Sequence, residues 1–332
     1  MLFEILEVLP TFYKSRNVDF TFLLYNCAVN KNMFTYREIK NEVNKMKKIM
    51  AGILLFGMLM ATLTACSGAD FDTGKSINAI TREEGSGTRG AFIELFGLEE
   101  KKADGKKKDL ISKNIGVESN TNTILTTVQN DVYAIGYVSM GSLNDNVKAL
   151  QIDGVDATTA NVKNGTYKIS RPFNIATKGA ATGLSKDFID FIMSKEGQEV
   201  AGKSYISINE KASAYSGNKP SGTITVGGSS SVSPLMEKLI ERYKEINPNA
   251  TVQLQISDSS IGMTKTIEGA YDIGMSSREL KDSEKAELEE TQIALDGIAV
   301  IVNKKNTATN LKKDDVKKIY LSEMKVWNEI IK

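Results

Sequence analysis

Residues 81–92 read TREEGSGTRGAF, an arginine followed four residues later by Ser-Gly-Thr at a predicted helix start. Small side chains at a helix N-terminus leave backbone N–H groups free to close on an oxyanion, and the helix dipole adds to the attraction. Arg82 can add a permanently charged, bidentate clamp from outside the helix. Taken alone, such a stretch is more often a glycine turn with a Ser or Thr N-cap. Two further hydroxyl clusters change the balance. Residues 224–243, ITVGGSSSVSPLMEKLIERY, place Ser230 and Ser231 where a β-run gives way to an amphipathic helix bearing Leu235, Leu239 and Ile240 on one face. Residues 254–269, LQISDSSIGMTKTIEG, repeat the passage with Ser259 and Ser260. Serine is simply a good N-cap, so one such passage says little. Three of them plus an arginine point to a convergent nest for one tetrahedral oxyanion.

Composition excludes several chemistries. The chain has 332 residues, a formal net charge of +1 and no histidine. Balanced charge gives no footprint for nucleic acid. The missing histidine removes the usual general base and the commonest metal ligand. The only cysteines are Cys27 and Cys66, too few for a disulfide framework or a thiolate metal cluster. No cofactor or metal site is expected, and a serine hydrolase or a metal-assisted phosphatase is the weakest of the functional alternatives.

Residues 46–66, MKKIMAGILLFGMLMATLTAC, combine two lysines, an apolar run from Ile49 to about Leu63, and Leu63-Thr64-Ala65-Cys66. That is a secretory n-region and h-region ending at a small-residue site. It resembles a bacterial lipobox, which implies cleavage that leaves Cys66 as the lipidated first residue. The alternative, a single transmembrane helix, needs a longer apolar run. Residues 67–75 then form a tether, and residues 1–45 read as an upstream extension of no function before a start at Met46.

Beyond the tether, short apolar strands alternate with amphipathic helices, which predicts an α/β architecture. Strands are expected at 76–80, 134–138, 172–177, 223–226, 251–256 and 297–303. Helices are expected at 87–96, 185–194, 233–246, 261–268, 283–290 and 313–321, with 209–221 a surface connection. Residues 197–204, GQEVAGKS, match the P-loop pattern. A working P-loop needs a strand before it and a helix after it, the reverse of the local pattern here.

The three hydroxyl clusters, with AIGYVS at 134–139, SRPFNIATKG at 170–179 and ALDGIAVIVNK at 294–304, resemble the phosphate-binding proteins of bacterial phosphate-import ABC transporters. The resemblance covers almost all of residues 77–332. It implies an α/β, two-lobed periplasmic-binding-protein-like fold (type II) with a hinge of two crossing strands around Phe173 and Ile298. It also implies inorganic phosphate as ligand, ABC permease subunits as partners, and a monomer held by its lipid on the extracytoplasmic face of the cell membrane. By position, Ser230 and Ser231 fall in the first phosphate loop, Ser259 in the second, and Arg82, Ser86, Gly87 and Thr88 in the third. Glu84 falls where the family has an acid that orients the arginine.

Two departures stand out. Segments that usually open such a protein, GGSSSVSPL to VWNEI, here close it, so the order is circularly permuted. One lobe is then contiguous, about 172–290, and the other is split between about 76–171 and 291–332. Where many members carry an aspartate that accepts the proton of bound phosphate, this chain has Ser277. Asp258, beside Ser259, is the candidate replacement acceptor, with an ordinary turn role as the alternative. Selectivity between phosphate and sulfate therefore stays open, as does a sensor role without transport.

Overall fold

The structure is a computed structural model that describes residues 71–102 and 107–331. In chain order the elements begin with β1 (Asn78–Arg82), α1 (Gly87–Phe96), β2 (Glu99–Lys101), β3 (Lys107–Asp109), β4 (Gly116–Glu118), α2 (Thr121–Asn130), β5 (Ala134–Ser139), β6 (Val147–Ala149) and β7 (Gln151–Ile152). They continue with α3 (Thr159–Lys163), β8 (Ser170–Thr177), α4 (Gly183–Met193), α5 (Lys195–Ala201), β9 (Gly222–Ser229), α6 (Ser233–Ile246), β10 (Ala250–Ser257) and α7 (Ser259–Ile267). The last are β11 (Ile273–Ser276), α8 (Asp282–Lys285), β12 (Glu289–Asn303), β13 (Asn310–Leu311) and α9 (Lys313–Tyr320).

The main sheet runs β10-β9-β11-β8-β12-β5-β1-β4, with β6 also on β12. Its continuity depends on the length of β12. Residues 289–297 pair antiparallel with β8, and residues 298–302 pair antiparallel with β5. One strand thus serves two halves. The apolar interior divides at the same place. Ile80, Phe92, Tyr137, Ile169 and Ile298–Val302 belong to one core, and Phe173, Ile175, Val226, Leu239, Ile293 and Ala294 to another. β8 and β12 are the strands that cross from one core to the other. The changeover on β12 lies between Ala294 and Ile298, later than the expected 290/291 boundary, because the strand runs unbroken through the polar residues 289–292. For the same reason the helix expected at 283–290 stops at Lys285.

Local chemistry explains the helix ends nearest the crossing. α1 starts after Ser86, whose side chain accepts from Arg89 N–H, and stops at Gly97, which takes φ 65°, a left-handed conformation cheap only for glycine. α6 has proline in its first turn and buries Leu235, Met236, Leu239 and Tyr243 on one side. The P-loop look-alike is a short helix, α5, preceded by α4, so it forms no phosphate cradle. The connection 209–221 has no regular structure and is clipped to the protein by Tyr215, which donates to Asp187. No described helix is long and apolar enough to cross a membrane. The lipobox and the upstream segment lie outside the described residues.

Candidate functional site

Four helix N-termini meet where the two halves of the sheet face each other. α1 and α2 come from the half cored by Phe92 and Tyr137, and α6 and α7 from the half cored by Val226 and Leu239. Each helix presents small hydroxyl residues at its first turn or in the turn before it: Ser86 and Thr88, Thr121, Ser230 and Ser231, and Ser259. All are buried. Convergent N-termini make an electropositive pocket even where side-chain charges cancel.

Arg82, at the end of β1, is 2% exposed. Its Nε and Nη2 donate to the two carboxylate oxygens of Glu83 at 2.8 and 2.7 Å, a bidentate pair that fixes the guanidinium plane. The remaining donors turn inward, Nη1 to Thr121 Oγ1 at 3.2 Å and Nη2 to Ser230 Oγ at 3.1 Å. The Arg82 backbone is itself fixed, since its carbonyl accepts from Arg89 Nη1 at 2.7 Å and its N–H donates to the Tyr137 hydroxyl. Burial raises the Tyr137 pKa, so this hydroxyl stays neutral.

The hydroxyls form two groups, one of which spans both halves, joined where Ser231 N–H donates to Ser229 Oγ at 3.3 Å. Thr88 and Ser231 are 2.7 Å apart, and Thr121 Oγ1 lies 3.2 Å from both Ser230 and Ser231. Ser277 receives a hydrogen bond from Ser229 Oγ at 2.8 Å and donates its N–H to Ser259 Oγ at 3.1 Å. Backbone or guanidinium N–H groups donate to Ser86, Thr121, Ser229, Ser230 and Ser259. A hydroxyl whose oxygen already accepts points its proton elsewhere. The two groups are thus biased toward donation, which suits an anion. Among the described residues there is no cluster of three or more metal-ligating side chains.

The sequence matches the PBP superfamily domain over residues 18–196 and 213–331. It is 47% identical over 293 residues to the phosphate-binding protein PstS 2 of Streptococcus agalactiae serotype V, covering 87% of this chain and 100% of that one. It belongs to the PstS-like phosphate-binding proteins. PstS 2 of Streptococcus pneumoniae serotype 4 is 40% identical over 291 residues, 86% of this chain and 99% of its own. The crystal structure of a phosphate ABC transporter phosphate-binding protein from S. pneumoniae TIGR4 is 43% identical, with a TM-score of 0.62 over 77% of this chain and 99% of that chain. The two-lobed periplasmic-binding-protein fold expected from the sequence is that of the family.

Within this PstS-like chain, Arg82, Ser86, Gly87, Thr88, Ser230, Ser231, Ser259 and Ser277 lie together at the meeting of the two halves. Two expected site residues take other roles. Glu84 is exposed, and the acid that orients Arg82 is its immediate neighbour Glu83, because the chain turns after β1 and carries Glu84 outward. Asp258 is the N-cap of α7: its Oδ1 accepts from Ile261 N–H at 2.8 Å, and its carboxylate lies against Gly85. The cap thus commits one of its carboxylate oxygens to the helix start. Cys66 lies outside the described residues.

The sequence reading missed Thr121, Ser229, Glu83 and a second buried ion pair, Arg171–Asp296. Asn120 before an apolar 3–4 pattern at Ile124, Leu125 and Val128 is a helix-start signal that could have exposed Thr121. Asp296 also left a trace, as a lone carboxylate in the apolar run ALDGIAVIV.

Proposed function

We propose that this chain captures inorganic phosphate between its two lobes and delivers it to the permease of an ABC importer, as a lipid-anchored monomer on the extracytoplasmic face of the membrane. The carrying observation is the donor-biased hydroxyl cluster, supplied by both halves and anchored on the buried Arg82. Capture by closure of two lobes follows, since donors from each half reach one point only when the halves meet. The permuted segment order belongs to this reading. It is supported by the position of the arginine loop before the two serine loops along the chain. An esterase or phosphatase role is disfavoured by the absence of histidine.

Titration of the full chain in detergent with phosphate, sulfate and related oxyanions tests the reading. Phosphate should bind with one site and at least micromolar affinity, about 8 kcal/mol. Several charge-assisted hydrogen bonds of about 1.5–3 kcal/mol each supply this after ordering costs. No heat at millimolar phosphate would remove the proposal. A second reading, a receptor or sensor for sulfate or another tetrahedral oxyanion, is favoured by one observation. The Ser277 hydroxyl and N–H have Ser229 and Ser259 as partners and no carboxylate, whereas a carboxylate is what accepts the proton of hydrogen phosphate. Stronger binding of sulfate than of phosphate would select it.

The anchor has its own test. Cys66→Ser should release the protein from the membrane fraction or leave it unprocessed, because a diacylated cysteine supplies the two-chain anchor that stable residence requires. Membrane-bound wild-type protein should yield no peptides from residues 1–45. Unchanged membrane fractionation of the variant would contradict the lipid anchor.

A further inference from the structure

Arg171 and Asp296 face each other in the β8–β12 register, where both strands pass from one core to the other. Arg171 is 2% exposed and Asp296 fully buried. Asp296 Oδ2 accepts from Arg171 Nε at 3.3 Å and Nη2 at 3.1 Å, while Oδ1 accepts from Ser139 Oγ at 2.9 Å. The guanidinium carbon lies 5.2 Å from the centre of the Phe173 ring. Burial pushes Asp296 up to about 6 against the opposing pull of Arg171, Ser139 and the Gly141 N–H, so the carboxylate is ionised at neutral pH. An isolated guanidinium at this depth would be costly, and Asp296 both offsets its charge and fixes its rotation.

The free arm of the fork reaches both halves. Arg171 Nη1 donates to Thr88 Oγ1 at 2.7 Å and to the Ser277 carbonyl at 2.9 Å. Thr88 lies in the first turn of α1, which packs on one core through Phe92. Ser277 follows β11, whose Ile273 and Met275 belong to the other core. Both bonds leave a single nitrogen, so both are made only while the halves are together. A pair at the strand crossing moves little when two lobes turn about it, whereas the loops carrying Thr88 and Ser277 travel with their own halves. Arg171 is therefore a fixed post to which each half is tied separately.

We propose that Arg171, held by Asp296, is a positioning residue that latches the closed arrangement of the two halves and so sets how long a captured anion is retained. The inference deepens the phosphate-capture reading and rests on it. The latch ties the Thr88 turn and the Ser277 loop to the crossing with both Nη1 protons, so it acts through the loops. It adds retention and leaves the preference among anions to the groups that line the cluster.

The test follows the release of radiolabelled phosphate from the full chain in detergent, with phosphate and arsenate affinities from titration. Arg171→Lys keeps the charge opposite Asp296 but gives up the fork, and the paired exchange Arg171→Gln/Asp296→Asn removes both buried charges together. Each should speed phosphate release by about tenfold or more, the scale of one lost charge-assisted hydrogen bond, with little change in the association rate. Affinities for phosphate and arsenate should fall together, their ratio holding within about twofold, because the latch shares no contact with the anion. At saturating phosphate, backbone amides at 86–92 and 275–280 should exchange faster in the variants than in the unmodified chain. A residue that only supports folding would lower the melting temperature and leave release from the folded chain unchanged, and that result would overturn the inference. A loss confined to the association rate, or a shifted phosphate-to-arsenate ratio, would overturn it as well, while leaving phosphate capture intact. If the paired exchange does not fold, Arg171→Lys alone decides through the release rate. Failure of the unmodified chain to bind phosphate would overturn phosphate capture and this inference with it.

Discussion

Arg82→Ala should weaken phosphate binding by about 2–5 kcal/mol, or roughly thirtyfold to several thousandfold. Arg82 supplies the inward donors that meet Thr121 and Ser230, and its guanidinium is held flat by the bidentate contact with Glu83. Its removal leaves a desolvated anion facing hydroxyl and backbone dipoles, with the nearby Glu83 charge no longer balanced. Folding should survive, because the Glu83 side chain is 22% exposed and can be solvated. Ser86→Ala provides the internal comparison. Its oxygen caps α1 through Arg89 N–H, so its loss should cost about 1 kcal/mol, mostly through the helix start. Arg82→Lys should resemble the alanine variant more than the wild type, since one ammonium cannot replace a fork that satisfies Glu83, Thr121 and Ser230 together. Isothermal titration of the variants checks this order. Equal effects at Arg82 and Ser86 would mean that a backbone nest, and not the arginine, carries the anion.

Gly87→Ala should separate stability from binding. A Cβ at Gly87 would lie 2.4 Å from Ser259 Oγ and 2.6 Å from Ser277 Oγ, closer than any real contact allows. Both oxygens belong to the opposite half of the sheet, so the overlap is relieved when the halves move apart. Alanine also improves the helix locally, by up to about 1 kcal/mol over glycine in a helix interior. The expected result is an unchanged or slightly raised melting temperature with phosphate affinity reduced by about 1–3 kcal/mol, the usual cost of overpacking, or roughly five- to 150-fold. Gly87→Val should be worse still. A variant that melts early and binds normally would show that Gly87 serves packing within its own half and not the approach of the two halves.

These effects show where local sequence sufficed. The helix at 87–96 and the one at 233–246 have the bounds expected from the sequence, because a serine cap, a proline in the first turn and a terminal glycine are signals carried by neighbouring residues. The eight residues placed in the anion loops come together for a related reason. Short hydroxyl residues after a strand and before a helix have few places to go other than the strand ends, where N–H groups gather. Thr121 followed the same rule with its own cap, Asn120, and was legible in principle.

Glu83, Asp258, Arg171 and the run of β12 depended on the fold. Whether Glu83 or Glu84 reaches Arg82 is set by the turn that follows β1, and two adjacent glutamates are indistinguishable before that turn is known. Asp258 before two serines fits a cap and a ligand equally well, and the close pass of Gly85 over its carboxylate is a contact between residues distant in sequence. Residues 289–292, EETQ, look like the end of a helix until β8 pairs with them, since backbone hydrogen bonding between strands does not require an apolar side chain. Arg171 has no local spacing signal. Its importance lies in Asp296, Thr88 and Ser277, residues 125, 83 and 106 positions away. The sequence by itself determined most element types, the family resemblance and the eight loop residues that come together, because caps, periodicity and hydroxyl clusters act over a few residues. Only the tertiary structure decided which charges pair and which loops a buried cation joins, because an ion pair depends on distance in space and the chain sets that distance only once it has folded.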